Sequence, residues 1–499
     1  MLILEIIYLL SVVFLSIYGV NSILLTWLHR RGKREAAEGH VSELVGPETD
    51  ISYPCVTVQL PVYNERHVVE RVLEAAVNLD WPAERLQIQV LDDSTDDTLQ
   101  IIDAARERYR TQGVGMQIEH IRRPDRGGFK AGALQYGLAS ASGEFIAIFD
   151  ADFIPRPDFL KKTIPYFCEP TVGCVQARWG HINPATSQLT RAQALGIDGH
   201  FVIEQSARDS ISAYLNFNGT AGVWRRACMT DAGGWQGDTL TEDLDLSYRA
   251  QLRGWRIVYR PEVVVPAELP VQIDAFKRQQ FRWAKGSIQT ALKLLGRLWR
   301  TPDPIWRKLM GTLHLTNYSV HPLMLVNLLL ILPMTLSQSP LLFLTPFFTL
   351  SAVGPPLLYW TAMGSNALPM VTRFKRLAVL IALGTGLSVN NTRAVVEAVS
   401  GHQSEFKRTP KFAVTGLAST WETSTYALPR DPVAWLELLL ALYALGLLVW
   451  TISQGIWWLV PWLIMYAVGN GYVSGLSFVQ AWQTRMAQTR ETGPIRSVT

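Results

Sequence analysis

Phe145-Ile146-Ala147-Ile148-Phe149-Asp150-Ala151-Asp152 runs from five apolar residues straight into two carboxylates. The apolar run has the pattern of a fully buried strand. The same signal recurs upstream at Val56–Leu60, Ile88–Leu91 and Gln117–Ile121. Between these runs the spacing turns helical. Glu65–Asn78 carries Val68, Val69, Val72, Leu73 and Ala76 on one face, and Asp96–Gln112 carries Ile101, Ile102 and Ala105. Lys130–Ala141 is a third helix. Strands alternating with helices predict an α/β fold with a parallel, doubly wound sheet. Ligands of such sheets bind beyond the carboxyl ends of the strands. Both acidic clusters lie there: Asp92-Asp93 after the second strand and Asp150-Ala151-Asp152 after the fourth.

The length, 499 residues, predicts roughly three domains. Only 17 of the 88 charged residues fall in Met310–Thr499. A soluble protein does not segregate charge in this way. The 48% apolar content excludes a disordered chain, and a net charge of +4 gives no case for nucleic acid. The four cysteines, Cys55, Cys168, Cys174 and Cys228, include no Cys-x-x-Cys pair. They exclude a disulfide scaffold and a zinc or redox motif, and read as buried free thiols in a reducing cytosol.

Ile6–Leu28 is an uncharged stretch long enough to cross a bilayer. A signal peptide fits it poorly, because Glu5 makes the leader acidic and no Ala-x-Ala site follows. The basic cluster His29 to Arg34 places that end in the cytoplasm and the N-terminus outside. Further spans are expected at Gly311–Met334, Leu341–Met363, Val433–Ile452 and Ile456–Val479, with Leu377–Val389 as an interfacial or re-entrant segment. Five spans keep Arg373–Arg376, Ser404–Lys411 and the tail arginines Arg485, Arg490 and Arg496 all inside. The expected division is a first span at 1–29, a cytoplasmic domain at 30–308, a helix pair at 309–364, an interfacial helix and loop at 365–432, a second pair at 433–480 and a cytoplasmic tail at 481–499. Arginine far outnumbers lysine, a compositional lean towards a bacterial inner (plasma) membrane.

Several motifs can carry chemistry. Asp150 and Asp152 can hold a hard divalent cation, Mg2+ or Mn2+, through oxygen and share it with substrate phosphates; they equally suit an acidic strand-end turn. In Asp92-Asp93-Ser94-Thr95 a ligand role competes with a helix start capped by Ser94 or Thr95. Gly127-Gly128-Phe129-Lys130 lets backbone approach a phosphate and adds a point charge. Thr239-Leu240-Thr241-Glu242 fits a capping box, while Asp243 can act as general base for a sugar hydroxyl. In Gln279-Gln280-Phe281-Arg282-Trp283, Arg282 suits a diphosphate and Trp283 a sugar face, or both anchor an interfacial helix. Together these are the parts of diphospho-sugar transfer: cations for the leaving diphosphate, a base for the incoming hydroxyl, and inversion in one displacement.

The ordered set Asp92-Asp93-Ser94, Asp150-Ala151-Asp152, Thr241-Glu242-Asp243 and Gln279-Gln280-Phe281-Arg282-Trp283 resembles the D, D, D, Q-x-x-R-W signature of processive, membrane-embedded family-2 glycosyltransferases of the cellulose synthase superfamily. Val175-Gln176-Ala177-Arg178-Trp179 and Phe217-Asn218-Gly219-Thr220 look most like the cellulose-synthase-like mannan and glucan synthases and their bacterial relatives. The resemblance covers about residues 50–430. It implies a GT-A-type, doubly wound mixed sheet inserted between transmembrane helices. It also implies a metal-dependent, inverting hexosyltransferase that extends a β-glucan, β-mannan or glucomannan from UDP-glucose or GDP-mannose and passes it across the bilayer.

By the same resemblance, Pro61, Tyr63, Glu65 and Asp93, beside Asp92, hold the uridine or guanosine. Lys130 contacts the diphosphate, Asp150 helps bind the nucleotide and Asp152 binds the metal. Asp243, next to Glu242, is the base. Gln279 and Arg282 bind the diphosphate and Trp283 the acceptor sugar. Phe217, Asn218, Gly219 and Thr220 lie beside the acceptor. Phe406–Lys411, with Thr409 and Lys411, stands where cellulose synthases carry a gating loop. The PilZ domain of bacterial cellulose synthases and the zinc domain of plant ones have no counterpart in the sequence, so cellulose is less favoured than another β-linked glucan or mannan. Single-sugar transfer to a lipid, as in ceramide glucosyltransferases, needs the same site without a channel. An inactive membrane scaffold is the remaining alternative, set aside because all four motifs are intact.

Overall fold

The computed structural model describes residues 1–37, 53–113, 115–344, 351–364, 368–414 and 421–491. Its strands are β1 Val56–Val62, β2 Leu86–Asp92, β3 Gln117–Ile121, β4 Phe145–Ile148, β5 Val172–His181, β6 Gly222–Arg225 and β7 Arg256–Ala267. They form one sheet in the order β3-β2-β1-β4-β6-β5-β7. β1 to β4 are mutually parallel, β6 runs antiparallel to β4 and β5, and β5 pairs parallel with β7. The sheet is therefore mixed and of GT-A type. The strand order turns at β1, between β2 and β4, and a crevice opens beyond the carboxyl ends of these strands.

β4 explains its own sequence. Phe145, Ala147 and Phe149 face one core with Val58, Leu60 and Val90, while Ile146 and Ile148 face the other with Leu134 and Trp224. A strand covered on both faces has no polar alternation. On the second face β1 and β2 carry Thr57, Gln59, Gln87 and Gln89, all buried. They pair across the two strands: Thr57 Oγ1 donates to Gln87 Oε1 at 2.7 Å, and Gln59 Nε2 to Gln89 Oε1 at 3.1 Å. Buried amides are costly unless paired in this way. The Phe129–Leu138 helix crosses that ladder at Gly137, where a Cβ would come within 2.7 Å of Gln59 Nε2 and Leu91 Cδ2.

The first helix begins at Val69 rather than Glu65, which leaves Tyr63 to Val68 as a loop at the mouth of the crevice. β1 continues through Pro61, opposite Leu91 of β2. Pairing with β4 has ended by Gln59, so the missing N–H of proline falls where one neighbour is absent. Cys174 and Cys228 are buried as expected, but Cys55 is half-buried and Cys168 exposed.

Among the described residues, four helices are long and apolar enough to cross a membrane: Leu2–Arg34, Asn317–Leu336, Val433–Ser453 and Trp457–Thr489. They support membrane association. A fifth crossing is formed if Met370–Gly386 and Ser388–Val399, bent by 42°, act as one span. This differs from the expected set. Leu377–Val389, expected as interfacial or re-entrant, belongs to that bent pair, whose geometry is that of a broken span or a re-entrant loop. Leu341–Met363, expected as a span, is a pair of 3-10 turns and a nine-residue helix, Gly354–Ala362, in its described part; residues 345–350 lie outside the described residues. Gly354-Pro355-Pro356 starts that helix, and two prolines cannot lie inside a longer one. Arg496, placed inside with the tail, also lies outside the described residues.

Candidate active site

Three strand ends and three helices converge on the crevice. After β4, Asp150 and Asp152 project from a turn. Asp150 Oδ1 accepts from Lys130 Nζ at 2.5 Å, and Asp152 Oδ2 accepts from Lys411 Nζ at 2.7 Å. Lys130 sits in the first turn of the Phe129–Leu138 helix, whose N-cap, Gly128, has φ of +67°, open to glycine at little cost. Its ammonium also donates to Gly219 O at 3.0 Å. Asp243 lies beside the same glycine: a Cβ on Gly219 would stand 3.0 Å from Asp243 Oδ2 and 3.4 Å from Lys130 Nζ. The Lys130 ammonium and the candidate base thus meet at the open face of one glycine.

Asp243 is in the first turn of the Glu242–Gln251 helix. Its N-cap, Thr241, makes no side-chain capping bond; its hydroxyl lies 3.3 Å from that of Thr290. The expected capping box is therefore not made. Burial, reinforced by the neighbouring Glu242 carboxylate, pushes Asp243 up to about 7, and Glu242 is raised by the same burial. Burial also opposes the charged form of Lys130, but Asp150, Glu242 and Asp243 outweigh it and raise its pKa.

Gln279, Arg282 and Trp283 share one face of the Ile273–Trp299 helix by their three- and four-residue spacing. Trp283 packs 6.3 Å from Trp179, which packs 5.2 Å from Phe201. The Arg282 guanidinium covers the Phe406 ring at 4.7 Å, and Phe406 stacks on Phe129. The Phe406–Lys411 segment therefore lies over the crevice. Arg408 pairs with Glu65 at 3.0 Å. Burial pushes Glu65 up to about 8 despite that arginine. Thr409 Oγ1 is buried with no hydrogen-bond partner among the described residues.

Other expected site residues lie elsewhere. Asp92 is buried, with Oδ1 accepting from Ser94 N at 2.8 Å and Oδ2 at 3.0 Å from His120 Nε2. Burial alone would raise its pKa; the His120 and Ser94 bonds outweigh it and hold the carboxyl below its usual range. Its carboxylate supports the strand end and does not face the crevice. Ser94 caps no helix; its Oγ accepts from Asn64 N. Phe217 is fully buried against Trp224 and Trp235, in the core rather than beside an acceptor. Thr220 is buried and holds Asp150, accepting from its N at 2.9 Å.

Two arginines escaped sequence reading. Arg123 grips Asp93 with two bonds, 2.8 and 2.6 Å, and donates to the carbonyls of Gly127 and Phe129. Arg126 lies over the Tyr63 ring, 3.3 Å from its centroid. The density of arginine in Arg122-Arg123-Pro124-Asp125-Arg126, directly before the glycine pair, was the available signal.

The model of the "Glycosyltransferase like family 2" domain matches residues 54–286. "Probable glucomannan 4-beta-mannosyltransferase 9" of Oryza sativa subsp. japonica is 35% identical over 373 residues, 68% of this chain and 70% of the relative. The chain belongs to glycosyltransferase family 2. Other relatives in the family match more strongly over less. "Probable glucomannan 4-beta-mannosyltransferase 7" of Oryza sativa is 45% identical over 48% of this chain and 42% of its own. "Glucomannan 4-beta-mannosyltransferase 2" of Arabidopsis thaliana is 42% identical over 52% and 49%. The chain thus spans about half the length of these curated relatives. Among solved structures, the mannosyltransferase PcManGT from Pyrobaculum calidifontis, in complex with GDP-Man and Mn2+, matches with a TM-score of 0.52 and 21% identity, covering 80% of this chain and 100% of that one. That likeness shows the family-2 fold. The relatives are plant proteins, and a bacterial membrane finds no support among them.

Proposed function

We propose that this family-2 chain is an inverting, metal-dependent hexosyltransferase that extends a β-linked polysaccharide, a β-mannan or glucomannan, from GDP-mannose. The observation that carries it is Asp243 meeting Lys130, itself paired with Asp150, beside Gly219. Displacement at an anomeric carbon needs a base on one side and positive charge at the departing diphosphate on the other. Asp243, pushed up to about 7, is poised to take a proton at neutral pH. Lys130 and Arg282 supply the charge. Pro61, Tyr63, Glu65 and Asp93 border the nucleoside, and Gln279 and Trp283 the diphosphate and the acceptor sugar. The relatives' names favour mannose over the glucose of UDP-glucose.

The residues present fit a divalent cation. Asp152 already holds a positive charge, the Lys411 ammonium, on its carboxylate. Its oxygen donors are hard, and no cluster of three or more His, Cys, Asp or Glu exists among the described residues to cage an ion alone. Asp152, with Asp150 beside it, would hold Mn2+ or Mg2+ together with substrate phosphates. When bound, the ion neutralises charge on the diphosphate. PcManGT, solved with GDP-Man and Mn2+, is a precedent in the fold. The catalytic domain lies in the cytoplasm, the N-terminus outside, and the long apolar helices carry the polymer out.

The test is incubation of reconstituted protein with Mn2+ and labelled GDP-mannose or UDP-glucose in parallel, with Asp243→Asn as control. A mannanase-sensitive polymer from GDP-mannose, absent in the variant, is the expected result. A short organic-soluble product means single-sugar transfer to lipid. Turnover that Asp243→Asn retains removes Asp243 from the base role.

A further inference from the structure

Directly behind the Asn218–Thr220 turn, helix Gln188–Asp198 widens into a π-helical segment, Gly199–Gln205. Such widened turns occur often at functional sites. Here the widening carries a histidine–carboxylate pair. His200 Nδ1 lies 3.1 Å from Glu204 Oε2, and His200 Nε2 lies 3.0 Å from Asn218 Oδ1. The same Asn218 oxygen accepts from Asn216 Nδ2 at 2.7 Å, and Gln205 Nε2 donates to Asn216 O at 2.9 Å. The π segment therefore grips the Asn216–Asn218 stretch at two points.

The turn is held from its other side as well. Gly219 O accepts from Lys130, Thr220 Oγ1 accepts from Asp150 N, and Asn218 N donates to Gln176 Oε1 at 2.9 Å. The donor-side groups fasten one side of the turn and His200 the other, with Asp243 against Gly219 between them. His200 also sets its ring edge-on to Phe201 at 5.0 Å, and Phe201 continues through Trp179 to Trp283. Both side chains of the pair keep 28% of their surface exposed, so they border open space rather than packed core. Burial opposes the Glu204 carboxylate, yet His200 and Arg208 outweigh that and hold it below its usual range.

We infer that His200 and Glu204 are a positioning pair. Acting through Asn218, they fix the Asn218–Gly219–Thr220 turn, and with it the acceptor hydroxyl, against Asp243. The pair touches the reaction only through that turn, so its loss moves acceptor kinetics and leaves the nucleotide side in place. A misplacement of about 1 Å suffices for a large loss in transfer rate. The inference rests on the transferase reading above.

The test uses the full chain in detergent or nanodiscs with Mn2+, GDP-mannose and a β-1,4-linked manno-oligosaccharide. It reads sugar transfer against acceptor concentration, transfer against GDP-mannose concentration, and GDP binding by tryptophan fluorescence. In Glu204→Gln and His200→Ala the acceptor KM rises, or kcat falls, by about tenfold, while GDP affinity and the GDP-mannose KM stay within about twofold. His200→Gln, whose amide can still donate to Asn218 Oδ1, recovers part of the loss. Unchanged acceptor kinetics in these variants overturn the inference. So does a parallel loss of GDP binding, which makes the pair a prop of the fold alone. If the unsubstituted protein binds GDP but moves no hexose from GDP-mannose or UDP-glucose, the transferase reading fails first and takes the pair with it.

Discussion

Two strand ends of one sheet carry look-alike acidic clusters and put them to opposite uses. At the end of β2, Asp92 is shut in by His120 and Ser94, and Asp93 is forked by Arg123. At the end of β4, Asp150 and Asp152 each hold one lysine, Lys130 and Lys411. Those lysines come from other elements, one of them a segment more than two hundred residues away. A planar guanidinium bonded twice is a fixed fitting, whereas an ammonium on a flexible stem is a point charge that a ligand can replace. The two ends differ in the partner cation rather than in the carboxylate.

The largest effect that tests this contrast is at the base that faces the β4 end. Asp243→Asn is expected to lower transfer by about 10³-fold with nucleotide binding retained, measured by product formation and GDP titration. Next, Asp152→Asn is expected to cost about 100-fold in metal-dependent activity with little change in melting temperature. Its mirror is Asp92→Asn, expected to lower stability by about 2 kcal/mol in thermal melts while the KM for the donor hardly moves. If Asp92→Asn weakens donor binding more than it lowers the melting temperature, the two strand ends are alike after all.

The smallest effect is graded. Asp243 takes a proton only when ionised, and its pKa is raised to about 7, so activity is lost as pH falls through that value. A pH profile of kcat/KM should drop about tenfold per unit on the acid side of this point. A profile flat down to pH 5 removes either the raised pKa or the base role.

Much of the site was legible because it is local. A strand followed by carboxylates places them at its carboxyl end, where Asp93, Asp150 and Asp152 lie, but the strand end alone did not say that Asp92 turns to Ser94 and His120. Gln279, Arg282 and Trp283 were implied by the resemblance, and their spacing in the Ile273–Trp299 helix puts them on one face. Hidden were the relations between distant segments. Nothing near Phe217 in sequence says that it packs against Trp224 and Trp235, or that Thr220 turns inward to hold Asp150. Of Leu341–Met363, expected as a span, the described part holds 3-10 turns and the Gly354–Ala362 helix that Pro355 and Pro356 open, a local start that hydropathy does not register.

By itself, then, the sequence determined the first four strands with the helices between them, the carboxylates at their ends and the apolar character of Met310–Thr499. Burial period, strand-end placement and segment hydrophobicity are short-range properties that the chain carries wherever it goes. Only the tertiary structure decided that Lys130 and Asp243 meet at Gly219, that Arg408 and Lys411 close on Glu65 and Asp152, and that His200 braces Asn218. Such meetings depend on which charged groups the packed core brings within a few ångströms of one another. Burial then fixes what each of them can do, raising Asp243 into the range where it can accept a proton.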